Sequence, residues 1–167
     1  MKRIGIISDT HGNLGEEIFD FFKNVDEIWH CGDIGTKEIL DKLMAFKPVR
    51  AVYGNIDGQK IRVIVPEHQR FRIEDVDVWM THIGGYPGKY DKRVRNEIRA
   101  NPPNLFLSGH SHILKVMNDQ KLNLLHINPG AFGISGFHKR RTAVRFVIDG
   151  KNFKDLEVLD LPKFTKK

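Results

Sequence analysis

Side chains able to bind a metal ion recur along the chain, each placed just after a short apolar run. Seven residues share this placement: Asp9, His11, Asp33, Asn55, His82, His110 and His112. The first such residues after the five runs are separated by 24, 22, 27 and 28 residues, about one strand plus one connection each time. Because sites in open α/β sheets gather outside the carboxyl ends of the strands, we expect the seven side chains to meet at one edge.

The chemistry of these donors indicates transition metals. Imidazole nitrogens and carboxylate oxygens without a thiolate suit Mn, Fe, Zn, Ni or Co better than Mg or Ca. Seven donors exceed the four ligands of one tetrahedral ion and fit two ions roughly 3.5–4 Å apart. Asp33 lies centrally in the series, and its two carboxylate oxygens could bridge the pair. A water shared by two such ions would be largely hydroxide at neutral pH, suited to in-line attack on phosphorus.

Taken singly, the same residues have ordinary explanations. Asp9 and His11, in a turn rich in Gly and Asn, could be a helix cap and a surface histidine. Asp33 could be a loop acid, and His82 a hydrogen-bonded histidine at a strand end. Their conjunction favours one metal site over seven unrelated surface residues.

The elements expected to position these residues alternate between strand and helix in the first half of the chain. Apolar runs over residues 2–8, 27–31 and 49–53 predict three strands. Helical spacing predicts a helix over 18–25, and Thr36 is a predicted N-cap for a second helix. The order β-α-β-α-β implies parallel strands with right-handed crossovers.

The second half consists mostly of strands. Hairpins are predicted over 70–81, 113–127 and 142–159, with one strand over 105–108 and a helix over 91–100. These are too many strands for a simple doubly wound sheet, so a second sheet packed on the first is expected.

Composition excludes several classes of protein. The 167 residues, 40% of them hydrophobic, are enough for one domain, expected over residues 1–167, and too apolar for a disordered chain. No apolar run approaches the roughly 20 residues of a membrane span, and the first apolar stretch is broken at Ser8 and Asp9, which argues against a secretory signal. One cysteine, Cys31, excludes an intrachain disulfide framework. We therefore expect a cytoplasmic protein that does not contact membranes.

The net charge of +6 is unevenly distributed. Residues 1–85 carry 11 basic and 14 acidic side chains, whereas residues 86–167 carry 16 and 7, giving net charges of −3 and +9. Such an excess favours anionic partners, meaning phosphates or nucleic acid. Basic surfaces are also common on proteins that bind neither.

Five short motifs resemble, in order and spacing, the signature of the calcineurin-like metallophosphoesterases: Asp9-Thr10-His11, Gly32-Asp33, Gly54-Asn55, Thr81-His82 and Gly109-His110-Ser111-His112. The resemblance extends from Met1 to about Gly130, and the short chain without a cap domain is similar to the small YfcE-type phosphodiesterases. It implies an α/β (α+β) fold of two facing mixed β-sheets flanked by helices, a four-layer αββα sandwich.

The resemblance also implies ligands and roles. One metal ion would bind Asp9, His11, Asp33 and His112, and a second would bind Asp33, Asn55, His82 and His110, with Asp33 bridging. Catalysis is assigned to Asp33, Asn55 and His82, and Asn13 corresponds to a family residue near the phosphate. Mn is the expected metal, with Ni, Fe, Co and Zn as alternatives.

One residue departs from the family pattern. Many members carry a histidine after Gly-Asn that is thought to contact the phosphate and protonate the leaving group, whereas this chain has Ile56 there. Isoleucine can neither donate a proton nor bind an oxyanion. The sequence therefore predicts a dinuclear phosphodiesterase acting on small phosphodiester or nucleotide-like substrates, by attack of a metal-bridging hydroxide.

Two other functions stay open. The basic second half suggests a nuclease or nucleotide phosphatase, although nuclease relatives usually add DNA-binding domains; a nucleic-acid substrate is therefore not favoured. A scaffold with the fold of a retromer subunit is expected to have lost ligands, and all seven are present. The natural substrate, the native metal and a homo-oligomeric state are not determined by the sequence.

Other residues receive ordinary interpretations. Buried or supporting roles are favoured for His30 and Cys31, and Asp57 is expected to orient the Asn55 loop. Three histidines match no motif and are expected to be structural or exposed: His68, His126 and His138. The basic residues 92–99 and 138–141 are expected to form solvated faces. Phe132 and Phe137 could line a cleft or an oligomer interface.

Overall fold

The computed structural model describes residues 1–164 and contains two five-stranded sheets. The strands of the first sheet are β1 (Lys2–Ile7), β2 (Glu27–His30), β3 (Val49–Ala51), β11 (Arg140–Asp149) and β12 (Asn152–Pro162). The strands of the second are β4 (His68–Ile73), β5 (Val76–Thr81), β8 (Leu105–Leu107), β9 (Leu114–Asp119) and β10 (Leu124–Pro129). A two-stranded ribbon pairs β6 (Gly85–Tyr86) with β7 (Lys89–Tyr90). The helices are α1 (Glu17–Phe21), α2 (Lys37–Phe46), α3 (Gln59–Arg62) and α4 (Arg95–Ala100).

Each large sheet contains three neighbouring parallel strands. The first sheet has the order β12-β11-β1-β2-β3, in which β1, β2 and β3 are parallel. The second has the order β4-β5-β8-β10-β9, in which β5, β8 and β10 are parallel. The remaining strands, β11 and β12 of the first sheet and β4 and β9 of the second, pair antiparallel with their neighbours. The predicted β-α-β-α-β order is confirmed, and the loops after β1, β2, β3, β5 and β8 carry the seven candidate ligands.

Alternation along the strands separates the apolar layers. Ile4 and Ile6 of β1 pack between the sheets with Val78 and Met80 of β5, whereas Ile7 faces the layer of α1 and α2. On the outer side of the second sheet, a third cluster contains α4 residues together with strand residues. The predicted four-layer αββα arrangement is confirmed.

Two predicted helices are shorter than expected. The first ends at Phe21, because the chain tightens into turns in which Val25 N–H donates to the Phe22 carbonyl; Val25 stays buried. The other begins only at Arg95, because the Asp91 carboxylate accepts the Arg93 N–H and holds a turn there. Thr36 precedes α2, but its side chain makes no capping hydrogen bond.

The short α3 helix and the β6–β7 ribbon were not predicted. Segments of two or four residues are too short to show a period. None of the helices in residues 1–164 has the length and apolarity needed to cross a bilayer.

Close packing of α1 on the first sheet depends on Gly5 in β1. A Cβ at this position would lie 2.7 Å from the nearest carbons of the fully buried Phe22 ring. We expect Gly5→Ala to lower the free energy of unfolding by about 1–3 kcal/mol, measured by urea denaturation. Gly58→Ala is the matched control, because no atom of the described part of the chain lies within 4 Å of its added Cβ.

Phe22→Leu in the Gly5→Ala background should recover part of the loss, since the smaller side chain makes room for the methyl group. A Gly5→Ala protein as stable as the Gly58→Ala control would contradict this packing.

Candidate metal centre

Five of the seven candidate ligands have left-handed backbone conformations. The φ angles are 52° for Asp9, 47° for His11, 54° for Asp33, 72° for His110 and 64° for His112. Only eight non-glycine residues within the described chain have positive φ, so most of them lie at this edge. Such conformations are uncommon outside glycine and cluster at functional sites.

Backbone hydrogen bonds between loops hold these conformations. Asp9 N–H donates to the Gly32 carbonyl at 2.9 Å, and His11 N–H donates to the Asp33 carbonyl at 3.0 Å. The loops after β1 and β2 are therefore joined residue by residue. Gly35 permits this approach, because a Cβ there would lie 2.2 Å from the Gly12 nitrogen.

The first group of candidate ligands surrounds the buried carboxylate of Asp9. Asp9, His11 and His112 each offer one donor atom, and these atoms lie within 4.8 Å of one another. The Asp9 Oδ1 atom is 3.3 Å from His112 Nε2 and 3.8 Å from His11 Nε2.

The second group consists of Asp33, His82 and His110, under the same distance limit. Asp33 Oδ2 lies 3.2 Å from His82 Nε2 and 3.4 Å from His11 Nε2, so it touches both groups. A single oxygen is therefore placed between the groups, whereas the sequence predicted a bridge through both carboxylate oxygens; Oδ1 instead accepts the Ile56 N–H at 3.1 Å.

Asn55 joins the second group, because its Oδ1 lies 3.1 Å from His110 Nδ1. The structure thus brings all seven predicted residues to one edge. Asn13, the predicted substrate contact, lies exposed at the end of the Asp9 turn, where its N–H donates to the Thr10 carbonyl.

The donor atoms fit a cation. Three of them are buried and have no hydrogen-bond partner among residues 1–164: Asp9 Oδ1, His11 Nε2 and His82 Nε2. Unpartnered buried polar atoms are rare, and three that converge on one point indicate a ligand site. His82 Nδ1 donates to the Cys31 carbonyl at 2.8 Å, so in the neutral ring the lone pair of Nε2 faces Asp33.

The charges of the site are mutually stabilising. Burial alone would raise the pKa of Asp9, but the neighbouring imidazoles of His11 and His112 hold that pKa well below its usual range. Burial also opposes ionisation of Asp33, yet the neighbouring His82 imidazole lowers the pKa of the Asp33 carboxyl. Both carboxylates are therefore ionised at neutral pH and available to a cation.

The histidine pKa values shift in the complementary direction. The neighbouring Asp9 carboxylate raises the pKa of His11. Burial would lower the pKa of His82, but the neighbouring carboxylates of Asp33 and Asp9 outweigh it and raise that pKa.

Asp57 ties the loops after β2 and β3 together. Its buried carboxylate accepts N–H groups from Gly54 at 2.8 Å, Ile34 at 3.1 Å and Gly35 at 2.8 Å. This geometry agrees with the expectation that Asp57 orients the Asn55 loop.

His30 and Cys31 are buried beside the site and belong to neither group, as expected. His30 Nδ1 accepts the Gly32 N–H, and its Nε2 lies 3.0 Å from Thr10 Oγ1. Burial lowers the pKa of His30 to about 4, so this ring is neutral. Its hydrogen bonds hold the β2 loop to the β1 loop.

Sequence reasoning did not assign a site role to His138. Its Nδ1 lies 3.2 Å from His112 Nδ1, and its Nε2 lies 2.8 Å from the Gly133 carbonyl oxygen. Burial lowers the pKa of His138. No local pattern in the sequence marks this contact, which depends on the loop 133–138 folding back onto the site.

The expectation that residues 138–141 form a solvated face is wrong for Arg141. This side chain is buried, with Nε donating to the Phe132 carbonyl at 2.8 Å and the guanidinium 4.4 Å from the Phe132 ring centre. Phe132 is fully buried as well, so it lines neither a cleft nor an interface, whereas Phe137 is fully exposed.

Two cavities flank the candidate ligands. One, of about 180 Å³, is lined in part by Tyr86, His110 and Ile113. The other, of about 240 Å³, is lined in part by Asn55 and His82. A larger groove of about 770 Å³ lies among the turns at the opposite ends of the strands, away from the site.

Comparisons with known proteins agree with this geometry. The sequence model of a family described as the calcineurin-like phosphoesterase superfamily domain matches residues 1–151. A probable metallophosphoesterase of Methanocaldococcus jannaschii is 35% identical over 134 residues, covering 77% of this chain and 67% of that protein.

Solved structures share the fold. The structure of an archaeal phosphodiesterase is 24% identical in sequence and matches with a TM-score of 0.74. The match covers 94% of this chain and 99% of that protein. The structure of Vps29 of Entamoeba histolytica complexed with Zn²⁺ is 14% identical in sequence and matches with a TM-score of 0.74. The match covers 97% of this chain and 99% of that protein.

The charge state of the site predicts that a divalent cation displaces protons. The pKa values of His11 and His82 are raised above 6.5, so near that pH the metal-free rings carry protons that a cation must remove. We expect Mn²⁺ affinity to rise between about pH 6 and pH 8. Calorimetry in two buffers of different ionisation enthalpy should show proton release, and His68→Ala should release the same number.

Stability of the metal-free protein should change in the opposite direction. A raised histidine pKa stabilises the fold below the unfolded pKa, and this stabilisation is lost as pH rises through the folded pKa. We therefore expect His11 and His82 to make the metal-free protein less stable above about pH 6.5.

Mn²⁺ binding without proton release near that pH would contradict the assigned charge states.

Proposed function

Because the chain belongs to the calcineurin-like phosphoesterase superfamily, we propose that it is a phosphodiesterase that uses two divalent cations at this site. The observation that carries the proposal is the convergence of three unpartnered buried donors around Asp33, which contacts both ligand groups. Buried polar atoms are normally paired, and a cation would pair all of these at once.

The proposed ligands divide between the two groups. One cation would be held by Asp9, His11, Asp33 and His112, and the other by Asp33, Asn55, His82 and His110. When bound, the cations supply an activated water and Lewis-acid stabilisation of charge on the phosphoryl oxygens. The donor set mixes nitrogen and oxygen without sulfur, which suits Mn, Ni, Fe, Co and Zn alike; Mn²⁺ is the proposed metal and the others are alternatives.

The chain's own contribution is to hold its donors before any ligand arrives. Asp9 Oδ2 accepts the Ser8 hydroxyl at 2.6 Å and the His110 N–H at 3.1 Å, which leaves Oδ1 free. Asp33 Oδ1 accepts the Ile56 N–H at 3.1 Å, which leaves Oδ2 between His11 and His82. Fixed donors of this kind need little rearrangement when a substrate arrives.

Ile56 supports a diester as the substrate. Its backbone N–H orients Asp33, whereas its side chain is about half exposed and carries neither a proton nor a positive charge. A phosphomonoester carries one more negative charge than a diester near neutral pH, and nothing at position 56 balances it. The two cavities beside His110 and Asn55 offer separate room for the two ester arms of a diester.

Hydrolysis of bis(p-nitrophenyl) phosphate and p-nitrophenyl phosphate, each with Mn²⁺ and after chelation, tests the proposal. We expect metal-dependent cleavage with kcat/KM at least about tenfold higher for the diester. Asp33→Asn should abolish both activities, because it removes the negative charge between the two groups. Turnover of neither ester with Mn, Ni, Fe, Co or Zn would refute the proposal.

Ile56→His should raise monoester cleavage relative to diester cleavage, because an imidazole at this position could bind the oxyanion and donate a proton. Val63→His is the matched control, since Val63 is also exposed but lies outside both ligand groups. Equal diester-to-monoester ratios in Ile56→His and in the control would refute the role given to position 56.

The nucleic-acid alternative is tested on the same protein. If DNA or RNA were the substrate, binding would weaken steeply with salt, because the basic residues of the second half would release counterions. Strongly salt-dependent binding together with cleavage would favour a nuclease.

A further inference from the structure

A chain of hydrogen bonds that starts at Gly133 determines which ring nitrogen of a neutral His112 carries the proton. The Gly133 carbonyl only accepts, so His138 Nε2, 2.8 Å away, carries a proton. A neutral imidazole has one ring proton, so His138 Nδ1 presents a lone pair. His112 Nδ1 lies 3.2 Å from that lone pair and is therefore the donor. In the neutral His112 ring the other nitrogen, Nε2, is then unprotonated and lies 3.3 Å from Asp9 Oδ1.

We propose that His138 is a positioning residue that fixes His112 in its metal-binding tautomer. The ligand role of His112 rests on the proposed function, but the tautomer is a property of the protein alone. Metal-binding histidines almost always donate their other ring N–H to a carboxylate, a backbone carbonyl or water, and this partner raises metal affinity.

His112 and His82 are oriented through different hydrogen-bond partners of Nδ1. His82 Nδ1 donates directly to the Cys31 carbonyl at 2.8 Å. His112 reaches a backbone carbonyl only through a second imidazole, because His138 stands between it and Gly133. His138 accepts with one ring nitrogen and donates with the other, and so transmits the polarity of the carbonyl to His112.

The loop that carries His138 is anchored to the site itself. Gly133 N–H donates to the Asp9 carbonyl at 3.0 Å, so the group that orients His138 is fixed to the residue that His112 faces. Gly136 has a φ of 122°, and a Cβ there would lie 2.5 Å from His112 Nδ1. The imidazole rings of His112 and His138 pack edge to face, with ring centres 4.9 Å apart. This packing leaves the His112 ring one orientation.

The first test is ¹⁵N NMR of the histidine rings in the full-length, metal-free protein at pH 7.5, with His112 identified by the loss of its signals in His112→Gln. We expect the wild-type ring to be protonated at Nδ1. His138→Gln should retain this state, because its amide oxygen can accept from His112 while its NH₂ donates to Gly133. His138→Leu removes the acceptor, and His112 should shift toward the Nε2-protonated form.

The second test is Mn²⁺ binding to the same variants without substrate. We expect His138→Leu to weaken one of two binding events by about 10–100-fold, and His138→Gln to stay within about threefold of wild type. His68→Leu, which changes a histidine outside both ligand groups, should bind as the wild type does.

A wild-type His112 protonated at Nε2 and not at Nδ1 would overturn the proposal even if no variant folded. Wild-type Mn²⁺ affinity in a folded His138→Leu protein would overturn it as well. Thermal unfolding of each variant separates loss of fold from loss of affinity. Neither the His112 tautomer nor the Mn²⁺ affinity depends on phosphodiesterase activity. A protein that hydrolyses no diester could still show both expected results, so failure of the proposed function and failure of this inference are distinguishable.

Discussion

The carboxylate of Asp9 is fully buried at the edge where the two sheets come together, and the rest of the site is arranged around it. An ionised carboxylate in this position needs hydrogen bonds and opposite charge, because burial of an unpaired charge costs several kcal/mol. One oxygen accepts from Ser8, which directly follows β1 of the first sheet, and from His110, in a loop of the second. The other oxygen faces imidazole nitrogens. The Asp9 carboxylate therefore links loops of both sheets, and its negative charge favours the imidazole side chains that surround it.

The backbone of the site is held in conformations that it would not adopt in isolation. The left-handed residues Asp9, Asp33 and His110 persist because interloop hydrogen bonds and close glycine contacts leave the loops no alternative. At Gly109, for example, a Cβ would lie 2.2 Å from Ser8 Oγ. Local strain here is balanced by the packing of the sandwich, in which the apolar layer between the sheets fixes the strand ends.

The same arrangement explains how this chain departs from the pattern of its family without losing the site. At position 56 the backbone N–H holds Asp33, and this contact is independent of the side chain. An isoleucine can therefore replace a polar residue without disturbing the ligands. The change removes a group that could serve the leaving oxygen, which bears on substrate choice and not on metal binding.

The sequence determined the seven donors, their convergence and the order of the strands, because each of these depends on short-range features: apolar runs, polar residues at strand ends and regular spacing. Helix lengths were less well predicted, since a local side-chain bond from Asp91 outweighed the apolar spacing. The partnership of His138 with His112, 26 residues away, and the burial of Arg141 depend on how loop 133–138 and the strand after it pack. Tertiary structure alone decided them, because hydrogen bonds between distant loops leave no period in the sequence.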